Sequence, residues 1–479
     1  MNKTFLHKVA LSAPVALLCA CASTDLSKAT EPYKNGDVTT AAKEIRAVNV
    51  NNTDGVWVMM EKGSILKASG DFAESQAALE ECNNRMDQLL KSAGSEGVAV
   101  GGLAGAGAVL TDDRQCAYVG ALHEAQLVCA LQAMSALQLS NISQAQAAIS
   151  LLRNRVDEAK ETKRKIEAYL ATKRKENETE RESAQKKLGG GYAKYADGLE
   201  YTKYDDAQKA AYTSWADTSV GVGLYLAEIV DRESGKSGEF LGYMNRLATD
   251  AAAQRYRAVD YKRLAQQAQA AADQLRAAPA GETTYVIVER GVAPARILDA
   301  KEMGADWAKA LQVELPGLDR GSGSDSVAIT VGNQGVPVYL VTDMRLIKGN
   351  EFDMCYPDIR YRAVLGKVIK ESVKVAGAAT VMASDNRDHQ LAGLAMFAAG
   401  AIASAAQGAD LRSWDCLPQT YEVAAFKTPK DGEFTVTCGS QAQKVRVVPG
   451  ASNTVIVGTI RDGHCSIYTA PVKPVAPTN

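Results

Sequence analysis

Ile142, Ala145, Ile149, Leu152, Val156 and Ala159 recur at spacings of three and four, which is one apolar stripe of an α-helix. Lys163 interrupts the seam, and Ile166 and Leu170 resume it, so the stripe reads as a coiled-coil-like face. From Lys173 to Lys187 the pattern turns charged on all sides, and Gly189-Gly190-Gly191 ends it. That run predicts a solvated helix, with a partner-binding arm as the sharper reading. Upstream, Leu127, Leu131, Met134 and Leu137 line one side of a helix predicted over Asp112 to Leu139, and Asn141 is placed to cap the next helix. Gly36-Asp37 and Gly70-Asp71 lie 34 residues apart, the period of a tetratricopeptide hairpin. Gly63 and Ser75 would be the small residues where two helices cross closely, and Cys82 falls where a small buried residue is wanted. A further helical pair is predicted over Ser214 to Val230 and Glu239 to about Leu275.

The period changes at Pro279. Thr283 to Glu289 and Val336 to Ile347 read as strands, with Leu315 to Val327 as a Gly/Ser-rich connector. Two helices follow, Ile359 to Ala379 and the small-residue stretch Gln390 to Gln407, the latter read as a buried helix in preference to a membrane-contacting one. Five short strands then come at close intervals: Gln419 to Lys427, Glu433 to Cys438, Gln443 to Val448, Thr454 to Ile460 and His464 to Tyr468. The predicted architecture is a multidomain chain: an N-terminal all-α, tetratricopeptide-like array, then an α+β domain ending in a small antiparallel sandwich-like module. The boundaries are 21–279 for the helical domain, 280–418 for the α+β domain, 419–470 for the β-module and 471–479 for a disordered tail.

The first 20 residues are set apart. Lys3, His7 and Lys8 precede an apolar run from Val9 to Leu18 that is too short to span a bilayer, which is the layout of a secretory signal. Leu18-Cys19-Ala20-Cys21 reads as a lipobox, which would leave Cys21 at the new N-terminus for acylation. Ala22 follows Cys21 where, by analogy with lipoproteins of enteric bacteria, an aspartate would argue for inner-membrane retention, so the analogy implies the outer membrane, most naturally its periplasmic face.

Composition adds mainly exclusions. The net charge is −2, so no basic field suggests nucleic acid. Besides Cys19 in the signal and the acylated Cys21, seven cysteines remain (Cys82, Cys116, Cys129, Cys355, Cys416, Cys438 and Cys465), in a compartment that allows disulfides. At least one disulfide is expected among Cys355, Cys416, Cys438 and Cys465, which lie in the strand-rich half. Gly97 to Leu110 gives neither a Walker loop nor GxGxxG, and no CxxC spacing suggests a metal. No cofactor, metal site or catalytic constellation is expected. Asp410, Arg412 and Trp414 are the candidate interaction residues, because Arg and Trp dominate interfaces. An Asp–Arg pair beside a buried Trp is also an ordinary fastening, and that structural reading is preferred.

The lipobox resembles that of bacterial lipoproteins. Three segments together resemble an uncharacterised family of proteobacterial lipoproteins with tetratricopeptide-like helices: the lipobox; Glu61-Lys62-Gly63 with Gly70-Asp71-Phe72 and Ser75, and the later Tyr118 to Glu124 stretch; and Glu289 to Pro294 with Ala409 to Pro418. Leu411 departs from the threonine usual in that family. The last 60 or so residues also resemble a PEGA-type β-module of envelope proteins. The resemblance implies architecture and compartment but no activity. The expected function is therefore a lipid-anchored envelope adaptor that binds envelope proteins through its helices, with no enzymatic activity. Charges on the inner face of the first two hairpins would then abolish partner binding and leave the C-terminal domain folded. The alternative is an enzyme or ligand-binding protein acting on envelope glycan or lipid, with a cleft between the helical and C-terminal parts.

Overall fold

The computed structural model describes residues 24–92, 118, 120–159, 179, 220–236, 242–254, 257–304, 309, 313–353 and 408–472, with scattered positions in 356–367. The lipobox, the arm 173–187, the expected helix 390–407 with nearly all of 359–379, and the tail from 473 on lie outside the described residues, as do Cys116 and Cys355. No helix of the described residues is long and apolar enough to cross a membrane.

The protein is α+β. Helices α1 (Ser27–Lys34) and α2 (Val38–Arg46) form a hairpin, as do α3 (Gly55–Ala68) with α4 (Phe72–Ser92) and α5 (Leu122–Gln138) with α6 (142–159). The three turns are built alike. Asp37 N donates to Pro32 O, Asp71 N to Leu66 O and Asn141 N to Ala136 O, and the residue just before each donor has positive φ: Gly36, Gly70 and Ser140. Asp37 caps α2 and Asn141 caps α6, each accepting from a backbone N–H three residues on. Gly63 and Ser75 do mark a close crossing: a Cβ at Gly63 would lie 2.4 Å from Leu79, and Ser75 Oγ donates to Gly63 O at 2.7 Å. Helices α7 (Gly221–Glu233), α8 (Gly242–Ala253) and α9 (Ala258–Ala277) complete the helical layer. The continuous helix expected from 239 to 275 is broken at Arg257, whose φ of 49° is left-handed.

Strands β1 (Thr283–Arg290), β6 (Tyr339–Asp343), β7 (Thr420–Lys427), β10 (Asn453–Thr459) and β11 (Ser466–Pro471) make a five-stranded sheet in the order β11-β10-β1-β7-β6. Only β1 and β10 are parallel. A second, antiparallel sheet runs β5-β4-β8-β9, from β4 (Val327–Val331), β5 (Gln334–Val336), β8 (Glu433–Cys438) and β9 (Gln441–Arg446). Among the described residues the strands β2 (Arg296–Leu298) and β3 (Pro316–Leu318) pair only with each other.

The result is three layers: helices, five-stranded sheet, four-stranded sheet. Tyr285, Ile287, Tyr421, Val423 and Ile456 belong to the helix-side core with Leu127, Tyr225 and Leu275. The alternate residues Val286, Val288, Ala424, Val455 and Val457 pack instead with Ile329, Phe434, Val436 and Val445 of the second sheet. A strand buried on both faces needs a continuous apolar run, and Tyr285-Val286-Ile287-Val288 is one.

Three sequence expectations change. A separate module over 419–470 does not hold, because β1 from residues 283–290 is the strand between β10 and β7. The strand expected over 336–347 stops at Asp343, whose carboxylate accepts from Arg345 N and starts helix α10 (344–353). The connector read over 315–327 also carries β3, and β4 begins at its end.

Cys438 and Cys465 form a disulfide that joins β8 of the outer sheet to the segment before β11 of the inner one. With the two cysteines 27 positions apart in sequence, opening this loop is expected to cost about 3 kcal/mol. Denaturant melts of Cys438→Ala/Cys465→Ala beside the parent check it; an unchanged midpoint would show that the bridge is dispensable.

Candidate functional site

The residues singled out by sequence sit on an extended segment, 408–419, that crosses between the helical layer and the five-stranded sheet. It pairs with no strand before Gln419, yet its backbone is satisfied almost residue by residue, as a buried backbone must be. Trp57 Nε1 donates to Ser413 O at 2.7 Å, and Ser413 Oγ accepts from Arg296 N at 3.2 Å. Trp414 N donates to Glu124 Oε1, and Trp414 O accepts from Lys348 Nζ at 3.0 Å. Asp415 N and Cys416 N donate to the two oxygens of Glu61 at 2.5 and 2.9 Å. Leu417 O accepts from Ala293 N at 2.8 Å.

Side chains complete the clamp. Arg412 grips Asp410 with two nitrogens, each at 2.9 Å, and reaches Asp54 Oδ1 with a third at 2.9 Å. Its guanidinium lies over the Tyr118 ring. The Trp414 ring is fully buried and donates from Nε1 to Ser64 Oγ at 2.8 Å. Lys34 pairs with Asp415 from the surface side. Asp410, Arg412 and Trp414 are thus brought together, as fasteners of the segment to α3, α5 and the loop before α3. Cys416 is a buried free thiol, not a disulfide partner.

Sequence reasoning missed Asp54 and Lys348, and it named Glu61 and Glu124 only within segments that carry a resemblance, without a contact to 408–419. The signal was available for Glu61, a lone acid in an otherwise apolar turn, Val56-Trp57-Val58-Met59-Met60-Glu61. Burial, with Asp415 nearby, pushes the Glu61 carboxyl up to about 8. Burial also pulls Lys348 below the usual lysine range. Burial would raise Asp410, but the pairing with Arg412 holds it below the usual carboxylate range. The Cys416 thiol is pushed up by burial and by Glu61, so it is held as the neutral thiol and not as a nucleophilic thiolate. A second buried pair, Lys67–Glu289, ties α3 to β1. His123 Nδ1 is bonded to Glu351 on α10, and its Nε2 is buried without a hydrogen-bond partner among the described residues.

An open polar cleft of about 300 Å³ lies elsewhere, between α9 and the edge of the five-stranded sheet. Asp260, Arg263 and Gln267 line it from α9; Leu340, Asp343 and Arg345 line it from β6 and α10; Arg290 and Glu422 form its floor. Arg290 is pinned to Glu422 at 2.6 Å and to the carbonyls of Ser324 and Asp325. Arg345 is paired bidentately with Asp343. Arg263 is exposed and has no ion-pair partner among the described residues. The cleft can therefore offer one uncommitted guanidinium flanked by two committed ones. Among the described residues no cluster of His, Cys, Asp and Glu fits a metal ion.

In comparisons with known proteins, the chain matches no family model, no curated protein and no solved structure.

Proposed function

We propose that this chain is a lipid-anchored adaptor of the bacterial cell envelope that holds a partner at the cleft between α9 and the sheet edge. The lipobox ending at Cys21 supports the compartment, as does the resemblance carried by Glu61-Lys62-Gly63 and Asp410 to Pro418. The repeated turns at Gly36, Gly70 and Ser140 support reading the hairpins as tetratricopeptide-like.

The observation that carries the location is Arg263. The inner faces of α3, α5 and α7 are covered by the chain's own sheet and by the 408–419 segment, so they offer a partner little surface. The junction cleft is open, polar and holds an uncommitted arginine, which suits a carboxylate-bearing protein segment. The polar lining equally suits the second reading, a binding site for an acidic envelope glycan or peptide in place of a lipid.

A photo-crosslinking residue placed at Gln267 in the full chain tests the proposal in intact cells. A discrete crosslinked species is expected, and Arg263→Glu should lower its yield about tenfold, as loss of one charge-assisted contact with added repulsion implies. Lys444→Glu, on the far sheet, should leave it unchanged. An Arg263→Glu chain that crosslinks as well as the parent would remove the cleft from the account.

A further inference from the structure

We propose that the β2–β3 ribbon rests on the membrane, with Ile297 and Leu298 entering the bilayer interface beside the acyl chains on Cys21. The inference rests on the lipid-anchor reading and adds an orientation to it.

Three observations carry it. The first is the length of the tether. Thr24 stands three residues after Cys21 and is already fixed: its N donates to Asp54 Oδ2 at 2.8 Å, and its Oγ1 accepts from Asn52 at 2.9 Å. Three residues span at most about 11 Å, so the folded body begins against the lipid surface and not on a long stalk. The end of the molecule that carries Thr24 must therefore face the membrane.

The second is the path from Thr24 to the ribbon. Asp54, which holds Thr24, also binds Arg412 at 2.9 Å. The next residue, Ser413, accepts from the backbone N of Arg296, the first residue of β2. Laid end to end these links span no more than about 25 Å, so anchor and ribbon share one end of the molecule.

The third is the surface chemistry of the ribbon. Successive residues of a strand point to opposite sides, and both of these β2 positions reach the surface: Ile297 is 45% and Leu298 38% exposed. The remaining large exposed apolar side chains among the described residues, Leu139, Val259 and Val448, are isolated single positions. Across the ribbon Pro316 and Gly317 of β3 are buried, so β2 is the strand that displays apolar side chains outward, and the tether brings lipid within reach of them.

The test uses the full-length acylated protein on vesicles of brominated phosphatidylcholine, with a fluorescent non-canonical amino acid replacing Ile297 or Val448. Val448 is the control, because its N–H is bonded to Asn453, which lies one residue before Thr454 on β10 and pairs with Thr284. Six residue steps along β1, about 20 Å, separate Thr284 from Arg290, the end of β1 from which the chain leads on to the ribbon. Both positions are exposed, so neither change threatens the fold; near-ultraviolet circular dichroism checks this. Palmitate incorporation and vesicle flotation are read in parallel. The expected result is a protein that incorporates palmitate and floats, with several-fold stronger quenching at 297 than at 448. If it incorporates palmitate and floats but position 297 is not quenched, or both positions are quenched alike, the orientation is wrong while the anchor stands. Fluorescence at 297 that responds to protein concentration and not to lipid would assign the ribbon to a second copy of the chain, which also overturns the proposal. If no palmitate is incorporated and the protein stays soluble, the lipid anchor itself is wrong and the orientation falls with it.

Discussion

Glu61→Ala is expected to destabilise the protein by about 4 kcal/mol, because it strips two buried backbone donors of their acceptor. Asp415 N and Cys416 N both point at the Glu61 carboxylate, and no strand partner is at hand to replace it. The damage would not stay local. The same segment holds Trp414 between Ser64, Glu124 and Lys348, so a loosened Asp415–Cys416 backbone loosens the contact of α3 and α5 with the sheet. Chemical denaturation of the two proteins, read by Trp fluorescence, measures the difference; a loss below about 1 kcal/mol would mean that the segment is held by Trp414 and Arg412 alone.

The same carboxyl gives a pH dependence with a definite sign. Its folded value, about 8, lies above the ordinary 4.5. The folded state therefore binds the proton more tightly than the unfolded chain. The contribution of Glu61 to stability is fully present below about pH 4.5 and is lost as pH rises through about 8. Glu61→Gln keeps the shape and one acceptor but cannot titrate. The advantage of the parent over this variant should be largest near pH 5 and smallest above pH 8. Glu228, whose carboxyl is also pushed up to about 8 by burial where it receives the N–H groups of Tyr243 and Met244, leaves a residual slope in both proteins. A gap that widens with rising pH would show that the two backbone donors, and not burial, dominate at Glu61.

The elements that announce themselves in the sequence are those whose period is set by one buried face. The stripe from Ile142 to Ala159 is a helix as read, and the alternation over Glu433 to Cys438 is β8 with the bounds expected. The turns at Gly36 and Gly70 were legible because glycine marks a left-handed residue. The third turn of the same build was not, because Ser140 occupies that position. Partnership between distant segments was harder. Nothing local to 283–290 says that this strand lies beside 453–459, since a parallel pair needs a long connection and leaves no hairpin signal. The same holds for the clamp. Asp410, Arg412 and Trp414 stood out by residue type. Glu61, Glu124 and Lys348 are ordinary helical residues until the fold buries them against a segment some 60 to 350 positions away.

Residues 280–479 expressed alone are expected not to fold cooperatively, although the sequence suggested a boundary at 279. The inner face of the five-stranded sheet presents Tyr285, Ile287, Tyr421, Val423 and Ile456 to the helices, each 3% exposed or less in the whole chain. Burying one such side chain contributes about 1.5–3 kcal/mol, so uncovering five removes roughly 7–15 kcal/mol, as much as the whole net stability of a typical domain. The fragment also loses the acceptors Glu61 and Glu124 for the backbone of Asp415, Cys416 and Trp414. The outer sheet cannot compensate, because it packs on the opposite face of β1. Amide exchange read on β1, β7 and β10 distinguishes the cases: it should be fast in the fragment and slow in the whole chain. Slow exchange in the fragment would restore an independent C-terminal domain. If exchange is fast, deletions that remove helices report on folding and not on partner choice. The contact surface must then be mapped with point variants at exposed positions, such as Arg263 in the cleft and Ile297 on the ribbon.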